Sequence, residues 1–157
     1  MKLVSRILTL LVLASATVFY SSCGGGDDDP KSETDTQIEK LNGTWVIQSN
    51  TDVKQDGGDP TYPYKNMELT ITASAGSTSF PWKMTSRPPL SPWKDQGTFE
   101  FGDPVATKLT RDDKVVVTYS VTDTKLILTF EGFTGSGYTG RVKNVEGDWS
   151  FEFAKKP

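Results

Sequence analysis

The sequence predicts an all-β domain of antiparallel strands, carried behind a short leader and a tether. Three observations lead there. Between residues 38 and 157, apolar and polar residues alternate with period two in one segment after another, as in strands buried on one face. Clusters of glycine, proline and aspartate punctuate these segments, as tight turns require. Only one short stretch, near residue 38, has helical character. A sheet with one apolar face must cover it by closing on itself or by packing a second sheet, and the alternation alone leaves both closures open.

Lys2 and Arg6 give the amino terminus a positive start, and Ile7 through Tyr20 form an apolar run too short and too early for a membrane span. These are marks of a secretory signal, assigned to residues 1–22. It ends in Tyr20-Ser21-Ser22-Cys23, which resembles the bacterial lipobox, where a small residue precedes a cysteine that is acylated and becomes the new amino terminus. Tyr20 departs from it, standing where that family usually has an aliphatic residue. Cys23 is the only cysteine, and acylation accounts for an unpaired thiol in an oxidising compartment. The following Gly24-Gly25-Gly26-Asp27-Asp28-Asp29 is similar to the acidic export signal of surface-displayed Bacteroidota lipoproteins. The resemblance implies an outer-membrane lipoprotein that faces the cell surface and is partnered with the membrane through its lipid anchor. Each buried acyl methylene contributes about 0.8 kcal/mol, so two or more chains on Cys23 anchor firmly where one would not.

Residues 23–37 read as an acidic tether, rich in Gly, Asp, Ser and Thr and too poor in apolar surface to fold. As a flexible coil it spans on the order of 20 to 25 Å. Asp27 to Asp29 lack the ligand spacing of a calcium loop and read as a solvated run, with no metal assigned. A short helix is expected over Gln37–Leu41, capped by the Thr36 hydroxyl, with Glu39 at capping-box spacing and Ile38 and Leu41 turned inward as a lid.

The folded domain is assigned to residues 38–157. Strands are expected at Thr44–Ser49, Met67–Ala73, Phe80–Thr85, Gly97–Phe101, Asp148–Phe153 and around Tyr138–Val142. Val115 to Val121 and Leu126 to Phe130 read as a hairpin about the Thr122-Asp123-Thr124 turn. Leu41-Asn42-Gly43-Thr44-Trp45 resembles the opening of a lipocalin, and is similar to the lipocalin-like domains of Bacteroidota lipoproteins. The resemblance implies an eight-stranded antiparallel barrel, with Gly43 at the strand entrance and Trp45 plugging the closed end. It also implies a basic residue from the late strands packed on that tryptophan, Arg141 by position, with Lys155 as the alternative. The chain departs from lipocalins in having no disulfide pair, no second lipocalin motif and no helix after the last strand. The other closure is an immunoglobulin-like sandwich, acting as an adhesion or glycan-binding module.

Composition excludes more chemistry than it assigns. The chain has no histidine, the commonest general base and zinc ligand, and acylation removes its only thiol. No carboxylate pair or Ser-Lys arrangement stands in a recognisable setting, and Glu100, Glu131 and Glu152 fit solvent-facing strand positions. Asp112-Asp113 beside Lys114 reads as a polar turn, and Gly132 to Gly140 as a hairpin loop. A formal charge of −3, with most of the excess acid in the tether, leaves a nearly neutral domain unsuited to nucleic acid. No enzyme activity and no cofactor is expected.

One segment stands apart. Phe80-Pro81-Trp82-Lys83-Met84 runs on through Arg87-Pro88-Pro89-Leu90-Ser91-Pro92-Trp93, which holds too many prolines for one regular strand. In the functional reading Trp82 and Trp93, with Tyr62 and Tyr64 from the Pro60–Tyr64 loop, form an aromatic platform or cavity mouth for a small apolar molecule or a glycan, with Arg87 adding hydrogen bonds. In the structural reading Phe80, Trp82 and Met84 are one buried face, and the prolines stiffen a crossing that brings Trp93 onto the core.

Overall fold

Nine short strand segments join in one antiparallel sheet that closes on itself. The structure, a computed structural model, describes residues 31–135 and 144–157. Cys23, the leader, the acidic run, Arg141 and the strand expected around Tyr138–Val142 lie outside the described residues.

The segments are β1 (Gly43–Val46), β2 (Val53–Gln55), β3 (Glu68–Ile71), β4 (Ser79–Thr85), β5 (Gln96–Phe101), β6 (Lys108–Arg111), β7 (Val116–Val121), β8 (Lys125–Phe133) and β9 (Gly147–Lys155). From β3 to β9 each pairs with the next, and β1 returns to β3. Both early segments lie along β9: Trp45 and Val46 pair with Lys155 and Ala154, and Val53 to Gln55 with Phe151 to Trp149. β1 and β2 are thus one bent stave, broken by a 3-10 turn at Asn50–Asp52, and the barrel is eight-stranded. Consecutive neighbours with first and last strands paired are the mark of a closed barrel, and the sandwich alternative falls on that pairing.

The sequence accounts for most of this directly. Phe80, Trp82 and Met84 alternate inward on β4, as do Val117 and Tyr119 on β7, Leu126, Leu128 and Phe130 on β8, and Trp149, Phe151 and Phe153 on β9. Each such side chain contributes about 1.5–3 kcal/mol when buried. Two segments lie where no strand was expected, β2 and β6. They are only three and four residues long, and β6 turns Arg111 inward, so neither shows apolar alternation.

One helix, α1, spans Glu33–Leu41 and starts earlier than the expected Gln37, within residues assigned to the tether. Its cap is Ser32, whose Oγ accepts from the Asp35 backbone N–H at 3.0 Å, not Thr36, whose hydroxyl instead donates to the Ser32 carbonyl at 3.1 Å. Glu33 and Asp35 in the first turn complement the positive helix start, which explains why the acidic stretch joins the helix. Ile38 and Leu41 face the barrel, as expected of a lid.

The antiparallel path gives the barrel two unlike ends. At one, α1 meets the short connections after β3, β5 and β7. At the other emerge segments 56–67, 86–95 and 112–115. Between the ends the interior is filled by side chains, half of them aromatic and half aliphatic.

Candidate functional site

At the α1 end, Gly43 takes φ +129°, a conformation that side-chain-bearing residues rarely adopt, and turns the chain from the helix into β1. Trp45, fully buried, follows it, and its Nε1 donates to the Leu41 carbonyl at 2.8 Å. The basic residue over its ring is Lys155, with Nζ 5.0 Å from the centroid. The same ammonium donates to the Lys40 carbonyl at 3.3 Å, tying β9 to the end of α1. Nearby, Tyr119 donates its hydroxyl to the Val105 carbonyl at 2.6 Å; burial, then the charge of Glu33, pushes its pKa far up, and it stays neutral.

The opposite end is where the aromatic candidates gather. Segment 86–95 folds back over the barrel and inserts Trp93, which is fully buried and meets Trp82, Phe99, Phe130 and Phe151 at centroid distances of 4.9 to 6.3 Å, edge to face. Segment 56–67 inserts Tyr64 against Trp149 and Phe151, and its hydroxyl donates to the Leu90 carbonyl at 3.1 Å. Trp82, Trp93 and Tyr64 therefore do not line an open mouth. They occupy the volume such a mouth would lead to, because rings this large gain more from mutual packing than from exposure. Tyr62 alone of the four stays exposed, at 37%, beside a hollow of about 280 Å³ formed with Asn50, Asp59 and Pro63. Arg87 stays at the surface and donates from Nε to Asp95 Oδ1 at 2.6 Å, clasping the base of the inserted segment.

The polar centre of this end is Arg111, 1% exposed. Its Nε and Nη2 donate to Asp113 Oδ1 and Oδ2 at 3.1 and 2.6 Å, a bidentate fork, and Nη1 donates to the Pro92 carbonyl at 2.7 Å. The guanidinium also lies 5.5 to 5.6 Å from the ring centroids of Trp82, Trp93 and Phe130. Lys94 Nζ stands 3.3 Å from Asp113 Oδ2. Burial alone would raise the Asp113 pKa; hydrogen bonding to Arg111, its charge and that of Lys94 outweigh burial and hold the carboxyl below its usual range. A guanidinium and a carboxylate joined by this bidentate fork make a clamp, not an acid-base pair.

Asp112 and Asp113 form the expected turn, closed by the Lys114 N–H on the Arg111 carbonyl at 2.9 Å, and Asp113 is in addition an almost buried ion-pair partner. Arg111 escaped sequence reasoning, although its place two residues after Leu109 was the available signal. Glu100 and Glu131 are exposed, and Glu152 pairs with Lys125 at 2.5 Å. Among the described residues, no three His, Cys, Asp or Glu side chains gather as metal ligands, and no helix is long and apolar enough to cross a membrane.

A second feature lies on the outer face of β3, β4 and β5, where a hollow of about 560 Å³ is walled by Lys83, Gln96, Thr98 and Asp112, with Gly97 and Trp82 also lining it. The geometry defines a filled, closed antiparallel barrel with its concave surface outside. No protein-family model matches the chain, and no curated protein matches it either.

Proposed function

We propose that the chain is a lipoprotein of Bacteroidota type, held in the outer membrane by acyl chains on Cys23, and that its barrel is a non-enzymatic binding module displayed at the cell surface. The filled lumen carries this reading. With Trp93 and Tyr64 packed into the barrel, an apolar molecule would have to displace them to enter, so a small amphipathic molecule, a glycan or a partner protein is engaged from outside. The nearly neutral domain and the clamp chemistry of Arg111 and Asp113 favour display and binding over catalysis.

Fractionation of cells that produce the full-length chain tests the anchor. The wild type is expected in the outer membrane with an acyl adduct on Cys23, and Cys23→Ala in the soluble fraction; membrane retention of the variant without an adduct would sink the proposal. Native mass spectrometry of the protein drawn from its own envelope tests the filled lumen, since a lipid retained through unfolding-free dilution would contradict it.

A further inference from the structure

Tyr62 and Tyr64 share one segment and are used in opposite ways. Tyr64 is buried, its ring against Trp149 and Phe151 and its hydroxyl on the Leu90 carbonyl. Tyr62 and Val116 are the large apolar side chains left exposed among the described residues, and neither the ring nor the hydroxyl of Tyr62 has a partner among them. The segment is nevertheless stiffened around it. Tyr62 precedes Pro63 and Asp59 precedes Pro60, which steers both to extended backbone. On one side Gln55 and Gly58 each donate an N–H to the other's carbonyl at 2.9 Å. On the other, Asn50 Oδ1 accepts from the N–H groups of Tyr64 and Lys65 at 3.0 and 2.9 Å. A ring presented in this way loses little freedom when a ligand settles on it.

The hollow beside Tyr62 opens to solvent, since all of its lining residues except Pro60 are exposed. With Asn50 Oδ1 committed to the backbone, its amide offers the Nδ2 protons as donors. Asp59 accepts from Lys54 Nζ through Oδ1 at 2.6 Å and keeps Oδ2 as an acceptor. A hydroxyl is the group that accepts from an amide and donates to a carboxylate at once. An anion would meet the Asp59 carboxylate and a cation would compete with Lys54, so the charges favour a neutral ligand. The Tyr62 ring adds a face of negative potential that attracts C–H groups. A C–H face edged by hydroxyls describes a sugar ring, and a hollow of about 280 Å³, just below the ~300 Å³ where sites for drug-sized ligands begin, has room for one. Lys31, where the described chain begins, lies at the α1 end, and segment 56–67 emerges at the other, so Tyr62 is reached at the end remote from the entry of the chain. We propose that this hollow binds one ring of a neutral oligosaccharide, stacked on Tyr62, with a hydroxyl that accepts from Asn50 Nδ2 and donates to Asp59. The assignment rests on the reading of the chain as a surface binding module and gives that module a ligand class and a site.

The test uses the full-length lipoprotein in a detergent without a sugar headgroup, screened by saturation-transfer NMR against a panel of neutral oligosaccharides at millimolar concentration. The best member is then titrated. Binding should saturate with a dissociation constant on the order of 1 mM, as one open ring implies, and transfer should be strongest to the C–H protons of a single sugar residue. Tyr62→Ala should weaken binding about tenfold, whereas Tyr62→Phe, which keeps the ring, should retain it. Asp59→Ala should weaken it about fivefold. Gln96→Ala, in the hollow on the outer face of β3 to β5, should leave it unchanged. All three positions are exposed, so the variants should fold as the wild type does, with thermal melts as the check. No binding across the panel overturns the proposal, as does binding that survives Tyr62→Ala undiminished. Neither outcome bears on the anchor, which stands or falls on the fractionation of Cys23→Ala.

Discussion

The two ends of the barrel are each closed by a tryptophan with a cation over its ring, yet they are built in opposite ways. At the α1 end Trp45 is held by groups near it in sequence, Leu41 and Gly43, and its cation, Lys155, is half-buried and makes one carbonyl contact. At the other end Trp93 arrives on a ten-residue segment from between β4 and β5, and its cation, Arg111, is buried and committed to Asp113 and Pro92. A local closure is secured by the chain's own path. A closure made by insertion needs a clamp, and here the clamp is ionic.

The largest expected effect follows from removing that clamp. Arg111→Ala strips the partner from an almost buried carboxylate and frees the Pro92 carbonyl, and loss of one member of a buried pair costs about 3–5 kcal/mol. Urea unfolding of the variant should show a midpoint shift of that size, and near-ultraviolet circular dichroism should report loosened tryptophan packing. A loss below about 1 kcal/mol would mean that aromatic packing alone closes this end, and the contrast between the ends would disappear.

The next effect is smaller and depends on pH. Because the Asp113 carboxyl is held below the ordinary aspartate value of 3.8, the ionised pair contributes stability above that value and loses it as pH falls through the lower value in the folded protein. Melting temperature should therefore decline as the medium is taken below about pH 4. Asp113→Asn removes a charge-assisted fork, costs about 1.5–3 kcal/mol at neutral pH and should flatten part of the acid decline. An acid profile identical in the wild type and the variant would assign the decline to other carboxylates. Asp35 also has a lowered pKa, chiefly through the Gly76 backbone N–H and the Ser32 hydroxyl, so Asp35→Asn serves as the control at the α1 end.

The same contrast explains what could be read from the sequence. Gly43 and Trp45 announce their end because a positive-φ glycine, a plug tryptophan and a helix terminus fall within five residues, where spacing carries the information. The alternating strands are legible for a similar reason: Phe80, Trp82 and Met84 declare a buried face by period alone. β6 is not, since an inward arginine breaks the apolar alternation and only the three-dimensional arrival of Asp113, Pro92 and the rings makes it tolerable. Trp93 and Tyr64 were recognisable as unusual, but whether loop aromatics fill a barrel or rim it depends on the path of segments 56–67 and 86–95, which no local pattern encodes.

The smallest effect tests the α1 end itself. Lys155→Met keeps an unbranched apolar stem beside Gly43 and over Trp45, and removes only the charge and its hydrogen bond to the Lys40 carbonyl. A cation over an aromatic ring contributes about 0.5–2 kcal/mol, toward the lower figure where the ammonium is still in contact with water. The midpoint should thus shift by about 1 kcal/mol. Lys155→Ala should cost more, because it also strips the stem from the indole. Measured together, the two variants separate charge from packing at this end, as Arg111→Ala does not at the other. If Lys155→Met were as damaging as Arg111→Ala, the helix would be pinned by its cation after all, and both ends would be ionic closures. A shift confined to Lys155→Ala would make the α1 end a purely packed one, leaving the ionic clamp to the end where the chain has to fold back on itself.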